Sequence, residues 1–182
     1  MKYFIPTLLF SCLLTAQSEP LQPNEALRNI VAADQADRSD PPSSFAAQEQ
    51  EISSRDAERR RSVKEILARG EIRTAEDFFN AALVFQHGPT VEDIRLGYAL
   101  VTIAASLRPD RPGPKAASCS AWDRLLRRSG KPQWYGTQFE LSQTTGKFEL
   151  APVDETAVTD DDRKACGVPT LEESRRNASQ FN

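Results

Sequence analysis

The side chain best suited to proton transfer in this sequence is His87, the single histidine among 182 residues. An imidazole titrates near neutral pH and can act as a general base if it lies at the rim of a pocket. A structural role explains it equally well, because His87 stands just before Gly88 and Pro89 at the end of a predicted helix. Gly88 could close that helix in the left-handed conformation, and a histidine interacts favourably with the negative helix end.

A histidine base needs a carboxylate that orients it and a group from which it takes a proton. Asp123 is the candidate carboxylate, and Tyr135, Thr137 or a water molecule would be the target. The competing interpretation is a buried polar network, in which Asp123 or its neighbour pairs with Arg38 or Arg163 and ties the helices to a hairpin. Both interpretations stay open.

The segment QWYGTQ, residues 133–138, places polar side chains around Gly136, where a backbone can approach a ligand closely. Such a loop suits a sugar, a peptide or an amide-bearing ligand. Alternatively, Gly136 permits a turn, Gln138 satisfies backbone groups at a sheet edge, and Tyr135 packs with its hydroxyl bonded. The full set of candidate ligand-binding residues is Asp34, Arg38, Gln86, Arg124, Gln133, Tyr135, Thr137, Gln138 and Arg163.

Short polar motifs follow one another in order along the chain: Asp34-Gln35 with Arg38, Gln86-His87-Gly88, Asp123-Arg124, the segment 133–138, Pro152-Val153-Asp154, Asp161-Asp162-Arg163 and Gly167-Val168-Pro169. This set resembles a bacterial family of domains of unknown function that is marked by its Gln-His and Tyr-Gly-Thr-Gln motifs. The resemblance covers residues 24–175 and implies one domain with no assigned activity. The sequence departs from the family pattern at Trp134, where a basic residue is expected.

Composition argues against several other chemistries. With 23 Lys and Arg against 26 Asp and Glu, the net charge of -3 provides no general attraction for nucleic acid. One histidine and scattered cysteines do not make a standard zinc site, and no nucleotide-binding motif is present. We therefore predict no cofactor, no metal and no nucleic-acid partner. The expected partner is a small molecule, a sugar or a peptide, or another envelope protein.

The first 18 residues have the layout of a secretory signal, with a lysine, an apolar run and small residues before the cleavage point. The apolar run is too short for a stable membrane span, which needs about 20 residues. We predict a signal peptide over residues 1–18, a linker over 19–23, and a periplasmic or secreted mature protein. The alternative is a lipoprotein attached through Cys12.

Cys119 and Cys166 are the two thiols that remain after removal of such a signal. In an oxidising compartment they could form one disulfide across a long loop. They could equally be two buried, unpaired side chains, because spacing alone does not place their Cβ atoms.

Most of the remaining chain has the apolar periodicity of helices. Asn24 is a candidate cap for the first of them, and four Thr-x-x-acid motifs predict later helix starts, at Thr74, Thr90, Thr159 and Thr170. The segment after Thr90 is apolar on nearly every side, which predicts the central helix.

Residues 139–141 and 148–150 alternate apolar and polar residues around a Thr-Thr-Gly turn, which predicts a hairpin. Its apolar face should pack on the helices, since an isolated hairpin is only marginally stable. The predicted fold is mainly α: a compact bundle of about five to seven helices over residues 24–176, with one small antiparallel β-hairpin near the C-terminus. Residues 177–182 are predicted to be a disordered tail.

Two functions fit these residues. The first is a ligand- or partner-binding module of the bacterial cell envelope. The alternative is a small envelope hydrolase or transferase that uses His87 as general acid or base, oriented by Asp123. The enzyme requires His87, Asp123 and the loop of residues 133–138 to meet at one open pocket.

Overall fold

A computed structural model describes residues 21–39 and 45–178 of the chain. This part contains seven helices and one two-stranded antiparallel sheet: α1 (Glu25–Ser39), α2 (Phe45–Ala68), α3 (Ala75–Phe85), α4 (Val91–Leu107), α5 (Pro112–Arg128), β1 (Phe139–Leu141), β2 (Phe148–Leu150), α6 (Asp160–Cys166) and α7 (Leu171–Ala178). The predicted fold class is confirmed. The predicted signal segment, Cys12 and residues 179–182 lie outside the described residues, and α7 reaches two residues into the predicted tail.

The core is built around α3, which contacts α1, α2 and α4, while α4 continues the packing to α5. Phe85 of α3 is fully buried, and burial of such a side chain stabilises the fold by about 1.5–3 kcal/mol. The predicted central helix α4 contacts both α3 and α5, and α3 shares the centre with it because α3 also contacts α1 and α2. Near the C-terminal end of α4, Ile103 is 41% and Leu107 51% exposed.

Side chains of the predicted types cap the helices. The Asn24 side chain accepts the Leu27 backbone N–H at 3.0 Å, and the Asn24 backbone donates to buried Asp77 at 2.7 Å, which joins α1 to the start of α3. Reciprocal capping boxes form at Thr74, Thr159 and Thr170. These ends are set by local sequence, as expected for hydrogen bonds that span only three residues.

The box at Thr90 is only half formed. Thr90 accepts the Asp93 backbone N–H at 3.1 Å, but the Asp93 carboxylate turns to α2, where it lies 3.2 Å from Nζ of Lys64 and 3.6 Å from Nε of Arg60. The start of α4 is therefore held by charges on α2 instead of by a second capping bond.

Gly88 joins α3 to α4 by a different means from the one predicted. Its backbone is not left-handed, so the predicted C-cap conformation is wrong. A Cβ atom at Gly88 would lie 2.2 Å from Cβ of Asp93 and 3.0 Å from the carbonyl oxygen of Phe85. Glycine is required here because the two helix ends approach too closely for a side chain.

The hairpin forms in the predicted register, with Phe139 opposite Leu150 and Leu141 opposite Phe148. Its strand β2 contacts α7, so the expected packing against helices occurs at that strand. Leu141 and Phe148, which lie nearest the turn, are 50% and 42% exposed. No helix within residues 21–39 and 45–178 is long and apolar enough to cross a membrane.

Candidate functional site

The carboxylate of Asp123 on α5 is fully buried and holds the loop of residues 133–138. Oδ1 accepts the backbone N–H groups of Trp134 at 2.8 Å and Tyr135 at 2.9 Å. Oδ2 accepts the backbone N–H of Thr137 at 3.0 Å and its hydroxyl at 2.9 Å. These four donors satisfy both oxygens, so the carboxylate anchors the loop. Gly136, whose φ is +78°, lets the chain curl around it.

Arg163 holds the carbonyl groups of the same loop. It is 3% exposed, and its guanidinium donates to the carbonyl oxygens of Trp134 at 2.8 Å and Tyr135 at 3.2 Å. Its carboxylate partner is Asp160 at 3.2 Å. The predicted ion pair of Asp123 with Arg163 or Arg38 does not form, because Asp123 takes the loop's N–H groups while Arg163 takes its carbonyl groups.

Gln133 closes the base of the loop. Its side chain, 0% exposed, accepts the backbone N–H of Gln138 at 2.8 Å and donates to the carbonyl oxygens of Gln138 and Ala151 at 2.8 and 2.9 Å. The side-chain amide of Gln133 therefore makes hydrogen bonds to these backbone groups that a neighbouring strand would otherwise make. The same bonds satisfy the polar atoms of the buried amide itself. The predicted candidates Gln133, Tyr135, Thr137 and Arg163 belong to this loop framework. Burial and the charge of Asp123 raise the pKa of Tyr135, so its hydroxyl is protonated at neutral pH.

His87 does not meet Asp123, and the predicted pairing of the two does not form. Nε2 of His87 lies 3.1 Å from the side-chain Nε2 of Gln86 and 3.9 Å from Oδ2 of Asp34. Because an amide nitrogen can only donate, the ring Nε2 accepts this bond and the ring proton belongs on Nδ1. The carboxylate nearest to His87 is therefore on α1, not on α5.

Charge and burial keep the His87 imidazole neutral. Burial lowers the pKa of His87 to about 4, and the positive charges of Arg38 and Arg124 act in the same direction, while Asp56 opposes them. The pKa of Asp34, which is 1% exposed, shifts in the opposite direction: burial raises it, and the positive charge of Arg38 counteracts part of that rise. At pH 7 the imidazole is a neutral, partly buried group of the α1–α3 contact.

Asp34 and Arg38 form an ion-pair cluster between α1 and α2. Arg38 lies 2.9 Å from Asp34 and 2.7 Å from Asp56, and Arg59 pairs with both Asp37 and Asp56. Each buried carboxylate in this cluster has an arginine partner, as buried charges require. The cluster accounts for the way the charged helix α2 packs on α1.

A cavity of about 140 Å³ lies between α3, α4 and α5. We call it the helical cavity. Its walls are mostly apolar and include Phe79, Leu83, Ile94, Val101, Ala117 and Ala121, and its polar lining consists of Gln86, Tyr98, Ser120 and Arg124. Ser120 and Arg124 also line a neighbouring surface depression, the hairpin groove, together with Thr137, Gln138, Phe139 and Phe148. Ser120 and Arg124 therefore lie between the helical cavity and the hairpin groove.

Arg124 is positioned by helix α3 and by the loop. Its Nη1 donates to the carbonyl oxygen of Gln86 at 2.7 Å, at the C-terminal end of α3, where carbonyl groups lack helical partners. Its Nε donates to Oε1 of Gln138 at 3.2 Å. Burial and the charge of Arg128 lower the pKa of Arg124, but an arginine remains protonated at pH 7. Hydrogen bonds thus join the predicted candidates Gln86, Arg124 and Gln138; Gln86 and Arg124 line the helical cavity, and Gln138 lines the hairpin groove.

Sequence reasoning missed Ser120 and the wall of the cavity. Tyr98 of α4 lines the cavity, and its ring lies 5.3 Å from that of Trp122. A sequence signal was present on α5, where small residues at 117, 120 and 121 share one face and leave space beside a neighbouring helix.

The Trp122 ring also contacts Trp134 edge-on, with the ring centroids 5.1 Å apart. The indole N–H of Trp122 is buried without a hydrogen bond.

Cys119 and Cys166 form a disulfide that links α5 to α6, with their Cα atoms 6.6 Å apart. Of the two possibilities that the sequence leaves open, the structure contains the bonded one. Since α5 also carries Asp123 and Arg124, the bond fixes the helix on which the loop and the cavity depend.

Comparison with protein-family models, with curated proteins and with solved structures finds no match to this chain. Among the described residues, no group of three or more His, Cys, Asp or Glu side chains is arranged to hold a metal ion. The geometry of the cavity and of the loop is therefore the basis for a functional proposal.

Proposed function

We propose that this protein is an exported module of the bacterial cell envelope that binds a small ligand in the helical cavity. The observation that carries the proposal is the cavity itself, which has an apolar wall and a polar end formed by Gln86, Ser120 and Arg124. Ligand sites typically combine an apolar lining with a few polar groups that orient the ligand. Gln86 and Arg124 were already candidates from the sequence.

The volume sets the size of the ligand part that enters. An engineered apolar protein cavity of about 150 Å³ holds one benzene molecule. The helical cavity, at about 140 Å³, thus fits one aromatic ring or a short alkyl chain. A larger ligand would extend past Ser120 and Arg124 into the hairpin groove, which has a volume of about 320 Å³.

The alternative function, a hydrolase or transferase that uses His87, has less support. The carboxylate predicted to orient His87 is occupied by four hydrogen bonds to the loop. The nearest other carboxylate, Asp34, is 3.9 Å away and already pairs with Arg38. A general base needs both an orienting partner and an accessible target, so we favour binding over catalysis.

Export, to the periplasm or the medium, is supported by the signal-like residues 1–18 and by the disulfide, because disulfides persist mainly in oxidising compartments. Attachment as a lipoprotein through Cys12 is the alternative route. The motif resemblance to a bacterial family of domains of unknown function stays a prediction alongside this proposal.

The binding proposal is tested with benzyl alcohol, a neutral probe of the right size, followed by ¹H–¹⁵N NMR titration. The variant Ala121→Leu fills the cavity from its wall, and Ala99→Leu adds the same side chain to an exposed position on α4 outside the lining. We expect saturable shifts in α3, α4 and α5 for the wild type and Ala99→Leu, and none for Ala121→Leu. Shifts that persist in Ala121→Leu would place the probe elsewhere and refute the site.

A further inference from the structure

Arg124 differs from the buried arginines of this fold in having no carboxylate partner. Arg60 and Arg163 are the arginines that are buried among the described residues, and they pair with Asp93 and Asp160. Arg124 is partly buried, yet none of the ion pairs within the described chain includes it. Its two protein contacts are both neutral oxygens, those of Gln86 and Gln138. A guanidinium removed from water without a counter-charge is unfavourable unless an anion reaches it.

The guanidinium is also held so that part of it stays available. Nε and Nη1 donate to Gln138 and Gln86, whereas Nη2 donates to no described residue. The Gln138 amide is itself oriented, because its Nε2 donates to Oγ of Ser120 and Oγ1 of Thr137, both at 3.1 Å. This arrangement turns its oxygen toward Arg124 and fixes the plane of the guanidinium before any ligand arrives.

Ser120 supplies a second donor at the same point. Its Oγ accepts from Gln138, and its own hydroxyl proton donates to no other group in the described chain. Ser120 and Arg124 line both the helical cavity and the hairpin groove, and neither lining contains an Asp or Glu side chain. Hydrogen-bond donors of Ser120 and Arg124 thus lie at the junction of the helical cavity and the hairpin groove. The positive charge of Arg124 is not balanced by an acidic side chain in either lining.

We propose that the ligand is a small monocarboxylate with an apolar tail, whose carboxylate binds Arg124 and Ser120 while the tail enters the helical cavity. This inference rests on the proposed function, since it names the chemical class of the ligand for that same cavity. A single guanidinium balances a single carboxylate, and charge-assisted hydrogen bonds are about twice as strong as neutral ones. The cavity of about 140 Å³ limits the tail to one aromatic ring or a short alkyl chain.

The test compares phenylacetate with phenylacetamide, which has the same ring and nearly the same shape but no charge, by NMR titration of the oxidised protein. We expect phenylacetate to bind the wild type about tenfold more tightly or better, since a hydrogen bond to a charged group contributes more than a neutral one. The Arg124→Gln variant should lose this preference. Arg124→Lys, which keeps the charge, should retain part of it.

Arg128→Gln is the matched control, because it removes one positive charge from the same helix, four residues away, outside both linings. Its effect on phenylacetate affinity should stay within about twofold, as screened surface charges usually allow. If Arg128→Gln weakens phenylacetate as much as Arg124→Gln does, the preference reflects general charge and the inference fails.

The outcomes separate this inference from the proposed function. Equal affinity of the wild type for phenylacetate and phenylacetamide overturns the carboxylate inference and leaves a neutral-ligand cavity standing. If benzyl alcohol binds and phenylacetate does not, the carboxylate inference is likewise overturned and the neutral-ligand cavity remains. If none of the three probes binds, both proposals are wrong. The wild-type comparison decides the matter even if Arg124→Gln does not fold.

Discussion

Asp123 and His87 have roles in this protein that differ from those suggested by their chemical type alone. Asp123 looks like a catalytic acid, but its two oxygens collect the N–H groups of one loop. His87 looks like a base, yet burial and nearby arginines lower its pKa to about 4. As structural alternatives to catalysis, the sequence predicted a buried polar network for Asp123 and the end of a helix for His87. It could not supply their partners, because Asp123 meets residues 11 to 14 positions later only through the curl at Gly136.

Replacement of Asp123 by asparagine tests the structural role of its carboxylate. We expect Asp123→Asn to lower the free energy of unfolding by about 3 kcal/mol, because an amide nitrogen would face backbone N–H donors inside a buried site. Chemical denaturation provides the measurement. The control is Asp161→Asn, whose carboxylate is 95% exposed and whose loss should change stability by less than about 0.5 kcal/mol. Equal stability of the two variants would contradict the role.

His87 should make the protein sensitive to mild acid. Its folded-state pKa of about 4 lies below the unfolded value of 6.5, so the unfolded chain takes up the proton first and stability falls as pH drops through that interval. Between pH 7 and pH 5 the loss should be about 2 kcal/mol. It should vanish in His87→Gln, which has no titrating ring. A wild type and His87→Gln with the same pH profile in denaturation experiments would show that the imidazole is not held neutral.

Helices and strands were predictable where local hydrogen bonds set their ends. The capping boxes at Thr74, Thr159 and Thr170 and the hairpin register follow from residues only a few positions apart. The place of each element in the bundle was less predictable. Apolar content predicted α4 as the centre, but it did not predict that α3 shares the centre by contacting α1, α2 and α4. The helical cavity also escaped prediction, since it depends on small residues of α5 facing side chains of α3 and α4.

The junction of α3 and α4 depends on the absence of a side chain at Gly88. We expect Gly88→Ala to lower the free energy of unfolding by about 2–3 kcal/mol, because the new Cβ would overlap Cβ of Asp93 at 2.2 Å. Gly113→Ala is the matched control, since a Cβ there meets no atom within 4 Å and the position is helical. That variant should be neutral or up to about 1 kcal/mol more stable. Thermal or urea unfolding of both variants decides whether close approach is the reason for the glycine.

At the scale of the whole molecule, the loop of residues 133–138, the disulfide and the cavity all depend on α5. Asp123 and Arg124 are neighbours on this helix and serve different spaces: one binds the loop from within, and the other reaches the end of α3 and the helical cavity. Stabilising the loop therefore also positions the polar end of the cavity, through Gln138. The candidates from the sequence thus lie in three places in the fold: the framework of the loop of residues 133–138, the ion-pair cluster between α1 and α2, and the polar end of the helical cavity.

Reduction of the disulfide should weaken this framework. Cys119 and Cys166 are 47 positions apart, and closing a loop of that length stabilises by about 4 kcal/mol in the chain-entropy model. We expect the Cys119→Ser, Cys166→Ser double variant to lose stability of that order, and dithiothreitol to affect only the wild type. Mass spectrometry under non-reducing conditions checks the bond itself. Two free thiols in protein recovered from the envelope would contradict both the bond and the proposed compartment.

The most direct test of the account is an NMR experiment on methyl-labelled protein with benzyl alcohol. We predict intermolecular contacts to the methyl groups of Leu83, Ile94 and Val101, which line the helical cavity, and none to Val63 or Ile66, which belong to the core away from it. Contacts confined to the hairpin, or an absence of contacts at millimolar probe, would contradict a ligand site between α3, α4 and α5.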